Sequence, residues 1–258
     1  MSRSLHRFSR TELLLGEGGL DCLRSKRVMI CGIGGVGSYA AEALGRAGVG
    51  TIVLVDFDDI CLTNVNRQIH ALSSTVGLPK VEVMAARLRD INPDADIVPL
   101  KEFFSADNAG RLLDPRPDYV LDAIDHFTAK AALIATCRDQ GIPVISSMGA
   151  ANKLDPTKIH VADISATRNC RMARSMRKML RKIGIESGVQ VVYSTEEHRE
   201  LNPLAAHCGT ECICPNRGSQ AFSCENRRVI LGSISYIPSL FGLTMAGIVV
   251  NELLANKA

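Results

Sequence analysis

Six residues decide most of what this chain can fold into. Gly32-Ile33-Gly34-Gly35-Val36-Gly37 follows a short apolar run, Arg27 to Cys31, and opens a run of small residues, Ser38 to Ala47. The first run predicts a buried strand and the second a helix. Glycines let the chain turn tightly between them and let backbone approach a phosphate. The helix start adds free N–H groups and the positive end of its dipole. A second apolar run, Thr51 to Val55, ends at Asp56, 19 residues beyond Gly37. A carboxylate there can accept hydrogen bonds from ribose hydroxyls. The plainer reading is a glycine turn that only permits close helix–strand packing. The strand–turn–helix–strand–acid order favours a nucleotide site.

The alternation continues. Lys80 to Ile91 predicts a helix, Asp96 to Leu100 a strand, Tyr119 to Leu121 a strand ending at Asp122, Phe127 to Asp139 a helix and Pro143 to Ser146 a strand. This pattern predicts an α/β fold: a Rossmann-like, doubly wound, mostly parallel sheet. With no Trp and 4% aromatics, the core must be aliphatic, as parallel strands buried on both faces require. Upstream, residues 9 to 23 predict one amphipathic helix with Leu13, Leu14, Leu20 and Leu23 as core contacts. Downstream, Ile159 to Ile164 and Val189 to Tyr193 predict strands, Arg168 to Ile183 a helix, and a last helix starts near Pro238. The expected organisation is an ATP-binding core over residues 1–150. Residues 151–258 continue the same fold, with a basic helix, a Cys-containing loop and the terminal helix.

The glycine loop does not choose between NAD and ATP; the next segments do. Asn66, Arg67 and Gln68 follow Asp56 and Asp58, and Lys80 comes 13 residues after Arg67. Two fixed cations suit a reaction that expels pyrophosphate, where negative charge develops on leaving oxygens. Alone, each would read as a solvated surface charge. Asp122 and Asp125 stand at a strand's carboxyl end, the edge where open α/β sheets bind ligands. Carboxylates there suit a hydrated Mg2+ that bridges phosphates. The preferred division makes Asp122 the cap of the next helix, beside the nucleotide, and Asp125 the metal ligand.

Taken together, Arg10, the glycine loop, Asp56, Asp58, Asn66-Arg67-Gln68, Gly77-Leu78-Pro79-Lys80 and Asp122-Ala123-Ile124-Asp125 resemble the ubiquitin-activating-enzyme-like adenylyltransferases. The resemblance implies an adenylation fold binding ATP through Gly32, Gly34, Gly35, Gly37, Asp56, Asp58, Asn66, Arg67, Gln68, Lys80 and Asp122. It implies Asp56 on the ribose, Arg67 and Lys80 on the triphosphate, and Asp125 on Mg2+. Arg10 would reach into a neighbouring subunit's site, which implies a homodimer, with Arg10, Arg67, Lys80 and Asp125 as the catalytic set. The chain has His126 and Lys130 where those relatives often have Asn and Arg. Further stretches are similar to one branch, the tRNA threonylcarbamoyladenosine dehydratase family: Thr63 to Leu72, Ser147-Met148-Gly149-Ala150, Asn152-Lys153-Leu154-Asp155-Pro156-Thr157, Val192 to Glu196 and Gly232 to Ser239. That branch implies ATP-dependent cyclising dehydration of the modified adenosine beside the anticodon, through an adenylated threonine carboxylate.

One feature points to RNA independently. Arg168, Arg171, Arg174, Arg177, Lys178, Arg181 and Lys182 fall in one predicted helix, with no acid between Asp163 and Glu186. Spacing of three gathers this charge on one face, which phosphate backbones bind. Arg171, Arg174 and Lys178 are the expected tRNA contacts; the plainer reading is a solvated face. The runner-up function is activation of a ubiquitin-like sulfur-carrier protein, with a cysteine desulfurase or sulfur-acceptor system as partner. Enzymes of that type usually carry paired CxxC zinc ligands. Here the order is Cys208, Cys212, Cys214 and Cys224, with no such pair, so metal binding, sulfur transfer and inert thiols all stay open. A dehydrogenase or regulatory dinucleotide module is the third class. The histidines form no ligand-spaced pair and read as structural or surface residues. With no apolar run of signal length at the start, cytoplasmic residence is expected. The apolar stretch Ile234 to Leu254 contains Pro238, Asn251 and Glu252, which favours a buried helix over a membrane span.

Overall fold

The structure is a computed structural model and describes residues 5–200 and 231–255. Its strands are β1 Arg27–Cys31, β2 Thr51–Val55, β3 Asp96–Leu100, β4 Tyr119–Asp122, β5 Val144–Ser147, β6 Ile159–Asp163 and β7 Gln190–Ser194. They form one sheet in the order β3-β2-β1-β4-β5-β7-β6. Every pairing is parallel except β6 with β7. The helices are α1 Ser9–Leu15, α2 Glu17–Arg24, α3 Gly37–Ala47, α4 Lys80–Ile91, α5 Ala109–Leu112, α6 Phe127–Asp139, α7 Arg171–Arg181 and α8 Tyr236–Ala255.

Alternation along the strands builds two cores. Val28 and Ile30 of β1, with Ile52 and Leu54 of β2, pack under α2, α3, α4 and α8. Their neighbours Met29, Cys31, Val53 and Val55 face the other way, toward Phe104, α5 and α6. A third cluster joins α6 and α7 to β7 through Ile134, Met176, Leu180 and Val191. Successive residues point to opposite faces of a strand, so strands covered on both sides read as unbroken apolar runs. Strand order reverses between β1 and β4, and crevices at such switch points hold ligands at the carboxyl ends of the strands.

α8 is long and apolar enough to cross a membrane by length and composition. In this fold it packs along α3, burying Phe241, Met245 and Val249. Gly242 admits the contact: a Cβ there would lie 2.2 Å from the Val36 carbonyl oxygen. Near its far end Glu252 accepts a 2.8 Å hydrogen bond from the Tyr119 hydroxyl.

The predicted first helix breaks in two. Gly16, at φ 72°, lies outside the helical region and separates α1 from α2. Leu20 and Leu23 are buried as expected, but Leu13 and Leu14 are 87% and 86% exposed. The break turns α1 so that its leucine pair no longer shares the inward stripe of α2.

Candidate active site

The switch-point crevice is built around the turn between β1 and α3. A Cβ on Gly37 would sit 1.8 Å from the Gly32 carbonyl oxygen, and one on Gly32, at φ 91°, would sit 2.7 Å from the Ala123 carbonyl oxygen. Only glycine closes this turn against both its own start and the loop after β4. Asp56, at the end of β2, ties the turn down. Its Oδ2 accepts from the Ile33 N–H at 2.6 Å and its Oδ1 from the Asp58 N–H at 2.8 Å. Each oxygen keeps a lone pair for a ribose hydroxyl.

Lys80 begins α4 and points into this acidic corner. Its Nζ lies 2.7 Å from Asp58 Oδ2 and 4.0 Å from Asp56 Oδ1, with the side chain almost wholly buried. Burial works against its charge, but Asp56, Asp58 and Asp125 together hold its pKa above the usual lysine value. For Asp56 burial outweighs Lys80 and raises the carboxyl pKa. The sequence-predicted Asp56, Asp58 and Lys80 therefore come together as one charged cluster.

Arg67 and Gln68 arch over the glycine loop. The Arg67 stem lies 3.5 Å from the Cβ position of Gly35, and Gln68 Nε2 lies 3.9 Å from that of Gly34. Arg67 Nη1 donates to the Thr63 carbonyl at 2.8 Å and to Asn66 Oδ1 at 2.9 Å. Asn66 Nδ2 donates to the Ser233 carbonyl at 3.0 Å, and Pro238 packs on Gly35, so the start of α8 closes the crevice's side. The Gln68 Oε1 is buried with no hydrogen-bond partner among the described residues, beside the glycine loop.

The loop after β4 corrects one expectation. Asp122 does not cap α6. It is fully buried beneath the crevice: its Oδ2 accepts from Lys130 Nζ at 2.7 Å and Ser146 Oγ at 2.6 Å, its Oδ1 from the Ile124 N–H at 3.1 Å. The α6 cap is His126, whose Nδ1 accepts from the Ala129 N–H at 3.3 Å. The sequence set Lys130 and His126 apart only as standing where the resembled enzymes often have Arg and Asn, and did not show these roles. A histidine just before an apolar helix could have signalled a cap; nothing local signals that Lys130 turns inward. Asp125 stays exposed at the carboxyl edge, within the electrostatic reach of Lys80.

Among the described residues no three His, Cys, Asp or Glu side chains gather to enclose a metal. Magnesium keeps several waters and needs only one or two carboxylates beside its phosphates. One exposed carboxylate over the switch point, Asp125, fits that mode. Arg10 is exposed on α1 and lies away from its own crevice. Its helix docks at the opposite end of the sheet, where Phe8 lies 3.7 Å from the Cβ position of Gly48. The eleven residues of α3 separate that end from the glycine turn, roughly 16 Å at 1.5 Å per residue. Arg171, Arg174 and Lys178 are all exposed on α7, while Arg177 turns back to the Thr167 carbonyl and hydroxyl. The start of α7 sits at the ligand edge, with Met172 Cβ 3.4 Å from the Cβ position of Gly149. Cys208, Cys212, Cys214 and Cys224 lie outside the described residues.

A glycine turn at a switch point, a clasping acid, buried and arching cations and an edge carboxylate define a nucleotide-binding α/β protein of the adenylating kind. The chain belongs to the ThiF family, whose model matches residues 8–257. It is 46% identical to the tRNA threonylcarbamoyladenosine dehydratase of Bacillus subtilis, over 98% of this chain and 96% of that one. A crystal structure of the E. coli tRNA N6-threonylcarbamoyladenosine dehydratase in complex with ATP matches with a TM-score of 0.83 and 36% identity, over 96% of this chain and 94% of that one. The molybdopterin-synthase adenylyltransferase of Escherichia coli is 36% identical over only 58% of this chain and 59% of its own.

The two aspartates separate in a mutational test. Asp122→Ala strands a buried ammonium and should cost about 3–5 kcal/mol of stability, read by chemical denaturation. Asp125→Ala should leave the denaturation midpoint unchanged and abolish ATP turnover. Equal stability losses in the two variants would contradict this division.

Proposed function

We propose that the chain is an ATP-dependent dehydratase that cyclises threonylcarbamoyladenosine in tRNA. Full-length similarity to enzymes of that name, one of them solved with ATP, carries the reading. The partial match of the sulfur-carrier-activating type, and the absence of a CxxC pair from the sequence, favour it over the runner-up.

A carboxylate resists attack because its leaving group would be oxide. Its oxygen attacks the α-phosphorus of ATP, pyrophosphate departs, and the carboxyl becomes an acyl-adenylate. The tethered carbamoyl nitrogen or oxygen then attacks the acyl carbon and loses its proton. AMP leaves with one former carboxylate oxygen. Ring closure needs little beyond orientation, since the nucleophile is already attached. The glycine-turn N–H groups cradle the phosphates and Asp56 holds the ribose. Asp58, Asn66, Gln68 and Arg67 border the triphosphate. Lys80 sits where it can exchange its Asp58 partner for phosphate oxygens. A magnesium ion on Asp125 would neutralise phosphate charge.

Arg10, remote from its own crevice and exposed, fits a contribution to the site of a second copy in a homodimer. The packing of α8 on α3 favours a core helix over a membrane span, and cytoplasmic residence suits a tRNA substrate. A sulfur-acceptor partner rests on the cysteines alone. The exposed face of α7, starting at the ligand edge, is the surface proposed for tRNA phosphates.

Two measurements test this reading. Incubating threonylcarbamoyl-bearing tRNA with protein and ATP should yield a nucleoside lighter by one water, seen by mass spectrometry. An unchanged nucleoside, with pyrophosphate exchange driven instead by a ubiquitin-like protein, would favour the runner-up. Replacing Arg171, Arg174 and Lys178 with Ala should make the log–log salt slope of tRNA binding shallower by up to about 2–3, since each phosphate contact contributes about 0.7–0.9. An unchanged slope in a folded variant returns α7 to a solvated face.

A further inference from the structure

The loop after β5 holds a second polar cluster that the nucleotide chemistry leaves unused. It opens from the same carboxyl edge, two strands from β1, about 10 Å at the usual strand spacing. Lys153 lies in it, 6% exposed. Its one hydrogen bond among the described residues goes to the Glu196 backbone carbonyl at 2.6 Å. Glu196 is close, but its carboxylate is occupied: it accepts from the Leu154 and Asp155 N–H groups at 2.9 and 2.8 Å and from Arg199 Nε at 2.9 Å. No described carboxylate closes an ion pair with Lys153. An ammonium has three donors, and a buried one without a counter-charge is costly. Burial lowers its pKa, with Cys170 and Glu196 pulling the other way.

Asn152, at φ 58° and 5% exposed, lies beside it. Its Nδ2 meets His198 Nε2 at 2.8 Å, and its Oδ1 is buried with no partner among the described residues. Flipping the amide would leave Nδ2 bare instead, so one polar atom is orphaned either way. Burial, Arg171 and Lys153 hold the His198 pKa below its ordinary value, and an imidazole offers Lys153 no counter-charge in either protonation state.

The cluster is tied to the nucleotide crevice. The Asn152 N–H donates to the Gly232 carbonyl at 2.9 Å, and the next residue's carbonyl takes Asn66. The Tyr236 hydroxyl donates to the Leu154 carbonyl at 3.0 Å, two residues before Pro238 packs on Gly35. Gly149, Ala150 and Ala151 form a partly exposed, small-residue approach. A ligand supplying an anionic oxygen and one further hydrogen-bonding group would satisfy both orphans.

We propose that Lys153 and Asn152 receive the threonine carboxylate and adjoining carbamoyl group of the modified adenosine, presenting them to the nucleotide crevice. The inference rests on the dehydratase reading. The shared chemistry is an anionic oxygen on RNA, and a backbone phosphate is the rival source.

The test compares binding, without ATP, of tRNA carrying the threonylcarbamoyl group and of the same tRNA lacking it. Wild-type protein should prefer the modified form. Lys153→Gln should weaken binding of the modified tRNA about tenfold or more, the scale of one charge-assisted hydrogen bond. It should leave the unmodified tRNA and ATP affinities unchanged. Lys153→Met, which needs no buried counter-charge, should fold and behave alike, and Lys153→Arg should recover part of the preference. Equal weakening for both tRNAs would assign Lys153 to a phosphate and overturn the proposal, as would no change for either. Failure of wild-type protein to cyclise the nucleoside would instead sink the dehydratase reading, independently of the variants.

Discussion

The contact between Asp56 and the Ile33 N–H, across a turn that only Gly32 and Gly37 can close, is the constraint on which the site depends. It fixes the end of β2 to the turn before α3, so the amides of the glycine turn and the carboxylate of Asp56 move as one piece. Lys80 is then drawn into the same corner by Asp56 and Asp58, and it orients the start of α4. The loop after β4 presses on Gly32 from the other side. Beneath it Asp122, Lys130 and Ser146 form a closed buried network that holds the strand ends β4 and β5 together.

The sheet was legible because parallel strands covered on both faces leave little choice of residue. Runs such as Ile52 to Val55 show no polar alternation, and the helices between them show the longer period. Where the reading failed, local pattern did not carry the tertiary information. Helical periodicity marks Leu13 and Leu14 as a stripe but does not say which way the stripe faces once Gly16 breaks the helix. The burial of Lys130 was not read either, because lysine is almost never fully buried unless paired, and its partner Asp122 belongs to the preceding strand. The histidines were read as structural or surface residues, and two of them do hold structure: His126 caps α6 and His198 meets the buried Asn152.

At the candidate site order and spacing picked out Asp56, Asp58 and Lys80, which the fold brings into one cluster beside the glycine turn. The burial of Asp122 against Lys130 and Ser146 was not legible, because a carboxylate at a strand end can point up to the crevice or down into the core with the same sequence. The relation of α7 to the crevice was invisible as well. It follows from packing against α6 and from the close approach to Gly149, contacts far apart in the chain. The outcome is an edge with the proposed nucleotide crevice at β1, β2 and β4 and, after β5, a buried Lys153 that has no carboxylate partner among the described residues, a layout suited to bringing a carboxylate to a phosphate.

The central claim is that a substrate carboxylate, rather than water or a hydride acceptor, takes the adenylyl group. Labelling the threonine carboxylate of the modified tRNA with oxygen-18 and following single turnover tests it directly. The account predicts one labelled oxygen in each AMP formed, with none in pyrophosphate. Label released to water, or AMP formed without label while the nucleoside cyclises, would contradict it.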